Sequence, residues 1–192
     1  DLVMFTVESL LVVTVVMPLA AAVLTALVGP RLLRSQSHWP TLIALVISLA
    51  ASLLLVWQVA QEAAATHAAR QSEPLPTADQ RGHPLGYERT VTLWTWSGGG
   101  LSAQRTSSGQ PGEDPLGPPP IIEVTLRADP LTAIMLATVL IISFLVAVYS
   151  VGYMHGDPGY WRFFSYIALF VFSMCMLVSV SNFLLLYVFW EA

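Results

Sequence analysis

The stretch FFSYIALFVFSMCMLVSVSNFLLLYVFWEA, Phe163 to Ala192, decides the fold of this chain. From Phe163 to Trp190 it contains no charged residue. A single helix of roughly 28 residues would be about 42 Å long, well over a hydrocarbon core of about 30 Å. Ser179, Ser181 and Asn182 gather small polar groups past the midpoint of the run. They predict a tight turn, with one helix from Phe163 to about Val180 and another starting at Phe183. Glu191 then lies about 13 Å into that last helix, close to the bilayer midplane. A helix does not stop at that depth with unpaired carbonyls and a terminal carboxylate. The expectation is therefore that the sequence is the first part of a longer protein. The alternative is one long tilted helix with Glu191 solvated at the far interface.

Working outward, the same apolar character recurs in blocks. Leu10–Gly29, Pro40–Gln61 and Pro130–Gly156 carry no Asp, Glu, Lys or Arg, and each suffices to cross a bilayer, which takes about 20 helical residues. Hydrophobic residues make up 55% of the chain and charged residues 10%, against roughly 25% charged in soluble domains. The reading is an all-α integral membrane protein of about five transmembrane helices. Pro18 falls inside the first helix, which is tolerable in lipid where a neighbouring group satisfies the carbonyl it frees. Gly29 and Pro30 end that helix. Pro40 suits the first turn of the second, and Trp57 suits its far interface.

Composition changes between Gln61 and Asp129, where Pro, Gly, Ser, Thr and acids dominate. Two pieces read as strands. TVTLWTW (Thr90–Trp96) is rich in strand formers, and IIEVTLR alternates apolar Ile122, Val124 and Leu126 with Glu123, Thr125 and Arg127. They predict a small external β-hairpin on the membrane surface, its strands joined by a flexible insert. The Gly triplet before Leu101 has no strand-to-helix context and no following Lys, so it is not a phosphate loop. Asp129-Pro130 has the form of an N-cap and first helical residue, opening helix three. The organisation is 1–62, helices one and two; 63–128, the external segment; 129–192, helices three and four and the start of helix five.

Charge gives the orientation. Arg31, Arg34 and Arg162 fall in two short loops, while the acidic N-terminus and the long acidic segment belong to the opposite side. The positive-inside rule places the short loops in the cytoplasm and the N-terminus and hairpin outside a cytoplasmic (inner) membrane. All eight basic residues apart from His are Arg, scattered without a patch that would suit nucleic acid. Asp1 and Glu8 stand where a signal peptide has its positive region. Cys175, the single cysteine, reads as a small packing residue. His38, His67, His83 and His155 fall in separate loops without ligand spacing, so no metal is expected. His155, Asp157, Tyr160 and Arg162 read as a solvated loop, and Arg127 and Asp129 as a strand end and a helix cap.

The motifs LWTW, DPLTAIML, YSVGYMHGDPGYWRFFSYIALFVFSM and SNFLLLYVFWE closely resemble the antiporter-like subunit family of proton-pumping NADH:quinone oxidoreductase, subunit L or chain 5. The likeness covers the five N-terminal helices; the first two match in hydropathy and layout only, and the insert is long for the family. The resemblance implies a proton-translocating subunit that couples electron transfer from NADH to quinone to proton pumping. It implies other membrane subunits as partners and no cofactor on this chain, NAD, flavin, iron–sulfur clusters and quinone belonging elsewhere in the complex. It also implies a role for Glu191, which falls where the family has a half-channel glutamate paired with a lysine on a later helix. Ala192 replaces the family's usual glycine.

The chemistry of a carboxylate in lipid points the same way. A charge at the centre of a spanning helix costs roughly 2.5–3.5 kcal/mol on insertion scales, so such residues are rare and functional. Desolvation raises a carboxyl pKa and a nearby ammonium lowers it, so a Glu/Lys pair with a movable cation is a proton switch. Two other readings stand beside this one. One is the large membrane chain of a multisubunit cation/proton antiporter, which shares the fold and the glutamate. The other is a membrane protein without transport whose external loop binds a partner.

Overall fold

The computed structural model describes residues 6–29, 36–71, 89–97 and 121–192. Pro30, Arg31, Arg34, His83 and most of the insert between the strands lie outside the described residues. The described elements are α1 (Val7–Val28), α2 (His38–Gln71), β1 (Arg89–Ser97), β2 (Ile121–Ala128), α3 (Pro130–Tyr153), α4 (Tyr160–Ser179) and α5 (Phe183–Glu191). The first four helices are each long and apolar enough to cross a membrane, α2 over His38–Ala65. The chain is an all-α multi-pass membrane protein with, among the described residues, one small two-stranded sheet.

α1 starts where Thr6 caps it, its side chain accepting from Ser9 N at 3.3 Å, and it ends at Gly29. Pro18 lacks an N–H, which leaves the carbonyl of Thr14 without its usual helical partner. Ser48 of α2 reaches across and donates its hydroxyl to that carbonyl. Thr25 and Thr41 bring their hydroxyls to 3.5 Å, and Ser165 of α4 donates to the carbonyl of Ala22 at 3.0 Å. Small residues let these backbones approach, and their hydroxyls join the helices where water is missing. Thr14, Thr25, Thr41 and Ser48 are all fully buried along this seam.

α2 runs further than composition suggests. Trp57 lies 19 residues beyond His38, or about 28 Å, which matches a hydrocarbon core of about 30 Å. The helix nevertheless continues to Gln71, past residue 62 where composition places the start of the external segment. The sequence AQEAAATHAAR explains this, since alanine, glutamine and glutamate favour helix even without an apolar face.

β1 and β2 pair antiparallel, with a bulge between Thr92 and Trp94 where Leu93 is the extra residue. On β2 the alternation holds from Leu126 on: Leu126 and Ala128 are buried and Arg127 is exposed, while Val124 and Thr125 are both half-buried. The hairpin is more than a surface layer. Leu126 and Ala128 join Val7 and Leu10 of α1, Val59 of α2, Ala133 and Leu136 of α3 and Cys175 and Met176 of α4 in one core. β2 thus plugs one end of the bundle.

At the opposite end, Tyr160 of α4 donates to or accepts from His38 Nδ1 at 2.9 Å, and Phe164 packs below them with its ring 4.8 Å from that of Tyr160. This corrects the expectation of a solvated loop at Tyr160. The residue is in the first turn of α4, which starts three residues before Phe163, and it is buried. His38 is likewise no loop residue but the first residue of α2, and His67 lies within α2 as well.

Candidate functional site

The turn predicted from Ser179, Ser181 and Asn182 is present. Val180 leaves the helical region, with φ −72° and ψ 139°, and closes α4. Asn182 then caps α5, its side-chain oxygen accepting from Leu184 N at 2.9 Å while its carbonyl accepts from Leu186 N at 3.0 Å. Two helices replace the single long one because the Ser181 and Asn182 side chains offer the backbone partners outside the helix, whereas the buried Ser179 hydroxyl bonds nothing among the described residues.

Glu191 is the last residue of α5, eight positions and about 12 Å beyond Phe183. It is exposed, and no residue of α5 is buried. Leu184, Tyr187 and Val188 lie seven, four and three positions before it and share its face, all exposed. The opposite side rests on α4, where the rings of Phe189 and Phe172 meet edge to face at 5.7 Å. Glu191 is thus an acid on an apolar helical face that the described residues leave uncovered.

The other polar residues singled out in the sequence separate into local roles. Asp129 caps α3, its carboxylate accepting from Thr132 N at 2.5 Å and pairing with Arg127 at 2.7 Å. Partial burial pushes its pKa up, but the Thr132 and Arg127 hydrogen bonds and the Arg127 charge outweigh that and hold it below the ordinary 3.8. A depressed carboxylate stabilises the fold above its unfolded pKa, and the contribution is lost as pH falls through the lower folded value. Asn caps a helix as well as Asp does, so Asp129→Asn isolates the charge, whereas Asp129→Ala removes the cap at about 1 kcal/mol. In detergent, thermal melting should separate wild type from Asn at pH 7, and the gap should close as pH falls below 3.8. A gap independent of pH would contradict this assignment.

In the loop between α3 and α4, Asp157 accepts from Gly159 N at 2.6 Å; Arg162, exposed, is no loop residue but lies in the first turn of α4, 5.2 Å from the ring centre of Trp161. Among the described residues no group of three His, Cys, Asp or Glu side chains converges as metal ligands. An open groove of about 470 Å³ runs between α1 and α2, lined by Met17, Leu24, Trp39 and Ile43 among others. Its walls are apolar, so it offers nothing to hold a charged ligand. The His38–Tyr160 pair is not foreseeable from the sequence, since its members are 122 residues apart and no local pattern links them.

Residues 121–164, from β2 through α3 to the start of α4, match the family model described as NADH-Ubiquinone oxidoreductase (complex I), chain 5 N-terminus. The NADH-quinone oxidoreductase subunit L of Neisseria meningitidis serogroup B is 28% identical over 185 residues, 96% of this chain and 22% of that protein. The chloroplastic NAD(P)H-quinone oxidoreductase subunit 5 of Mesostigma viride is 49% identical over 71 residues, 37% of this chain and 11% of that protein. The NADH-ubiquinone oxidoreductase chain 5 of Cryphonectria parasitica is 57% identical over 63 residues, 33% of this chain and 10% of that one. The chain therefore spans about a fifth of the length of the subunit L it matches from end to end. These similarities bear out the resemblance to the N-terminal part of this subunit family. Glu191 lies beyond the residues that the family model matches.

Proposed function

We propose that the chain forms the N-terminal part of a proton-translocating subunit of an NADH:quinone oxidoreductase, and that Glu191 takes up and releases protons within its membrane channel. The observation that carries the reading is the likeness to subunit L along 96% of the chain, joined to an apolar helix whose face bears one carboxylate. In this role Glu191 binds a proton when no cation is close and yields it when one approaches, because the cation stabilises the carboxylate. Remaining helices of the whole subunit would supply that cation and cover the face of α5. Redox chemistry belongs to other subunits, and this chain contributes a path for protons. Purification tests the assembly: the tagged full-length subunit should co-isolate with NADH-oxidising subunits. Isolation with other antiporter subunits, or with none, would contradict it.

The orientation completes the proposal, with the N-terminus and hairpin outside and the α3–α4 loop in the cytoplasm. The motive is Arg162, in the first turn of α4 beside the α3–α4 loop, on one side and the acidic segment on the other. With Cys175 replaced by Ser, a cysteine at exposed Thr92 on the hairpin should react with an impermeant thiol reagent added to intact cells. One at exposed His155 should react only after the cells are opened. Reversed labelling would overturn the assignment of sides.

A further inference from the structure

Among the described residues no side chain of α5 is buried, so its packing within this part of the subunit leaves its rotation and depth weakly fixed. Its first residues, by contrast, are tied to the sheet. Ser181 N donates to the carbonyl of Thr125 at 3.2 Å, the Ser181 hydroxyl reaches the same carbonyl at 3.4 Å, and the two hydroxyls bond each other. One step earlier, Val180 pairs with Leu126 as an isolated antiparallel bridge. Leu126 is fully buried in the bundle core, so the strand that holds Ser181 is itself immobilised.

We propose that Thr125 and Ser181 form a latch between the hairpin and the α4–α5 turn that sets the depth and rotation of Glu191, and that both are positioning residues for proton transfer. The functional half of this inference rests on the reading of Glu191 as the proton carrier. A slip of one residue at the turn would move Glu191 by about 1.5 Å along the helix and turn it by about 100°. The latch acts where such a slip would begin. It also gives the hairpin a task that its core-facing residues alone do not explain: β2 serves as the fixed edge to which the turn is clamped.

Each bond from Ser181 to Thr125 uses the N–H or the hydroxyl of Ser181, and proline has neither. Val180 is already extended, as a residue before proline must be. Ser181→Pro therefore releases the latch, while Ser181→Ala keeps the backbone bond and releases it in part. The side chains touch, so Thr125→Cys with Ser181→Cys, in a Cys175→Ala background, can close the latch covalently under a mild oxidant.

The test uses the full-length subunit in the assembled complex, with a spin label at Leu186→Cys, on a side of α5 away from Glu191, for the Ser181 variants and no label for the cysteine pair. Label mobility should rise from wild type to Ala to Pro. Proton pumping at matched complex content should fall in the same order, by roughly three- to tenfold for Pro, less than the about 100-fold that a 1 Å misplacement of a reacting group can cost. The oxidised cysteine pair should pump as well as wild type, a result that a need for movement at the turn would not allow. Unchanged mobility in Ser181→Pro, or loss of pumping on cross-linking, would overturn the latch. Raised mobility with full pumping would overturn the positioning role. Full pumping by Glu191→Gln would instead sink the proton-carrying reading, and leave the latch to be judged on mobility alone.

Discussion

Glu191→Gln should assemble normally and pump poorly. The amide keeps the shape and hydrogen-bonding reach of the side chain but cannot exchange a proton at neutral pH. Removal of a positioned proton-transfer group costs typically 100-fold or more in enzymes, so a loss of roughly tenfold or more is the conservative expectation. Assembly should survive because Glu191 is exposed on α5 and supports no core contact among the described residues. Glu191→Asp keeps the acid but shortens the side chain, and should retain a larger share of pumping. Quinone reduction should slow in both variants too, but by less than pumping does, so that fewer protons move per NADH oxidised.

The largest effect on stability is expected at Phe164, the largest fully buried side chain among the described residues. Its ring meets Tyr160 at 4.8 Å, Phe163 at 5.6 Å and His38 at 6.1 Å, and its carbonyl accepts from Thr41 at 3.4 Å. Phe→Ala in a packed core costs about 3–5 kcal/mol. Lipid tails solvate a phenyl ring as well as a core does, so most of that loss comes from the cavity and from broken contacts between α2 and α4. The low end of the range, about 3 kcal/mol, is still large beside a typical stability of 5–15 kcal/mol. Phe164→Ala should lower the melting temperature in detergent by several degrees, and Phe164→Leu by much less. Equal melting of wild type and Phe164→Ala would show that this end of the bundle is not organised around the ring.

What is legible in the sequence follows periodicity and local chemistry. The uncharged blocks mark the spanning helices, Asp129-Pro130 marks the start of α3, and Ser181-Asn182 marks the break before α5. These signals are local, since a cap or a turn needs only its own neighbours. The end of α2 is misplaced when polar composition is taken for loop, because an alanine-rich polar stretch is a good helix. The contacts that organise the fold are invisible because they join distant residues. Ser48 answering the proline-freed carbonyl of Thr14, Tyr160 meeting His38, and Ser181 bound to Thr125 leave no mark on sequence spacing. The need that Ser48 meets is readable from Pro18; the identity of the donor is not. For Glu191, the sequence supplies its place on an apolar helix and its family resemblance, and the structure adds the face it shares with Leu184, Tyr187 and Val188.

The central claim is that Glu191 carries protons, and the most direct measurement is the number of protons moved per NADH oxidised. Sealed vesicles containing the intact complex would be pulsed with NADH, with external pH and NADH absorbance followed together and an uncoupler as control. The account predicts a ratio for Glu191→Gln clearly below that of wild type at matched complex content, with Glu191→Asp between them. An unchanged ratio in Glu191→Gln would contradict it, and Glu191 would then be an interfacial residue of α5.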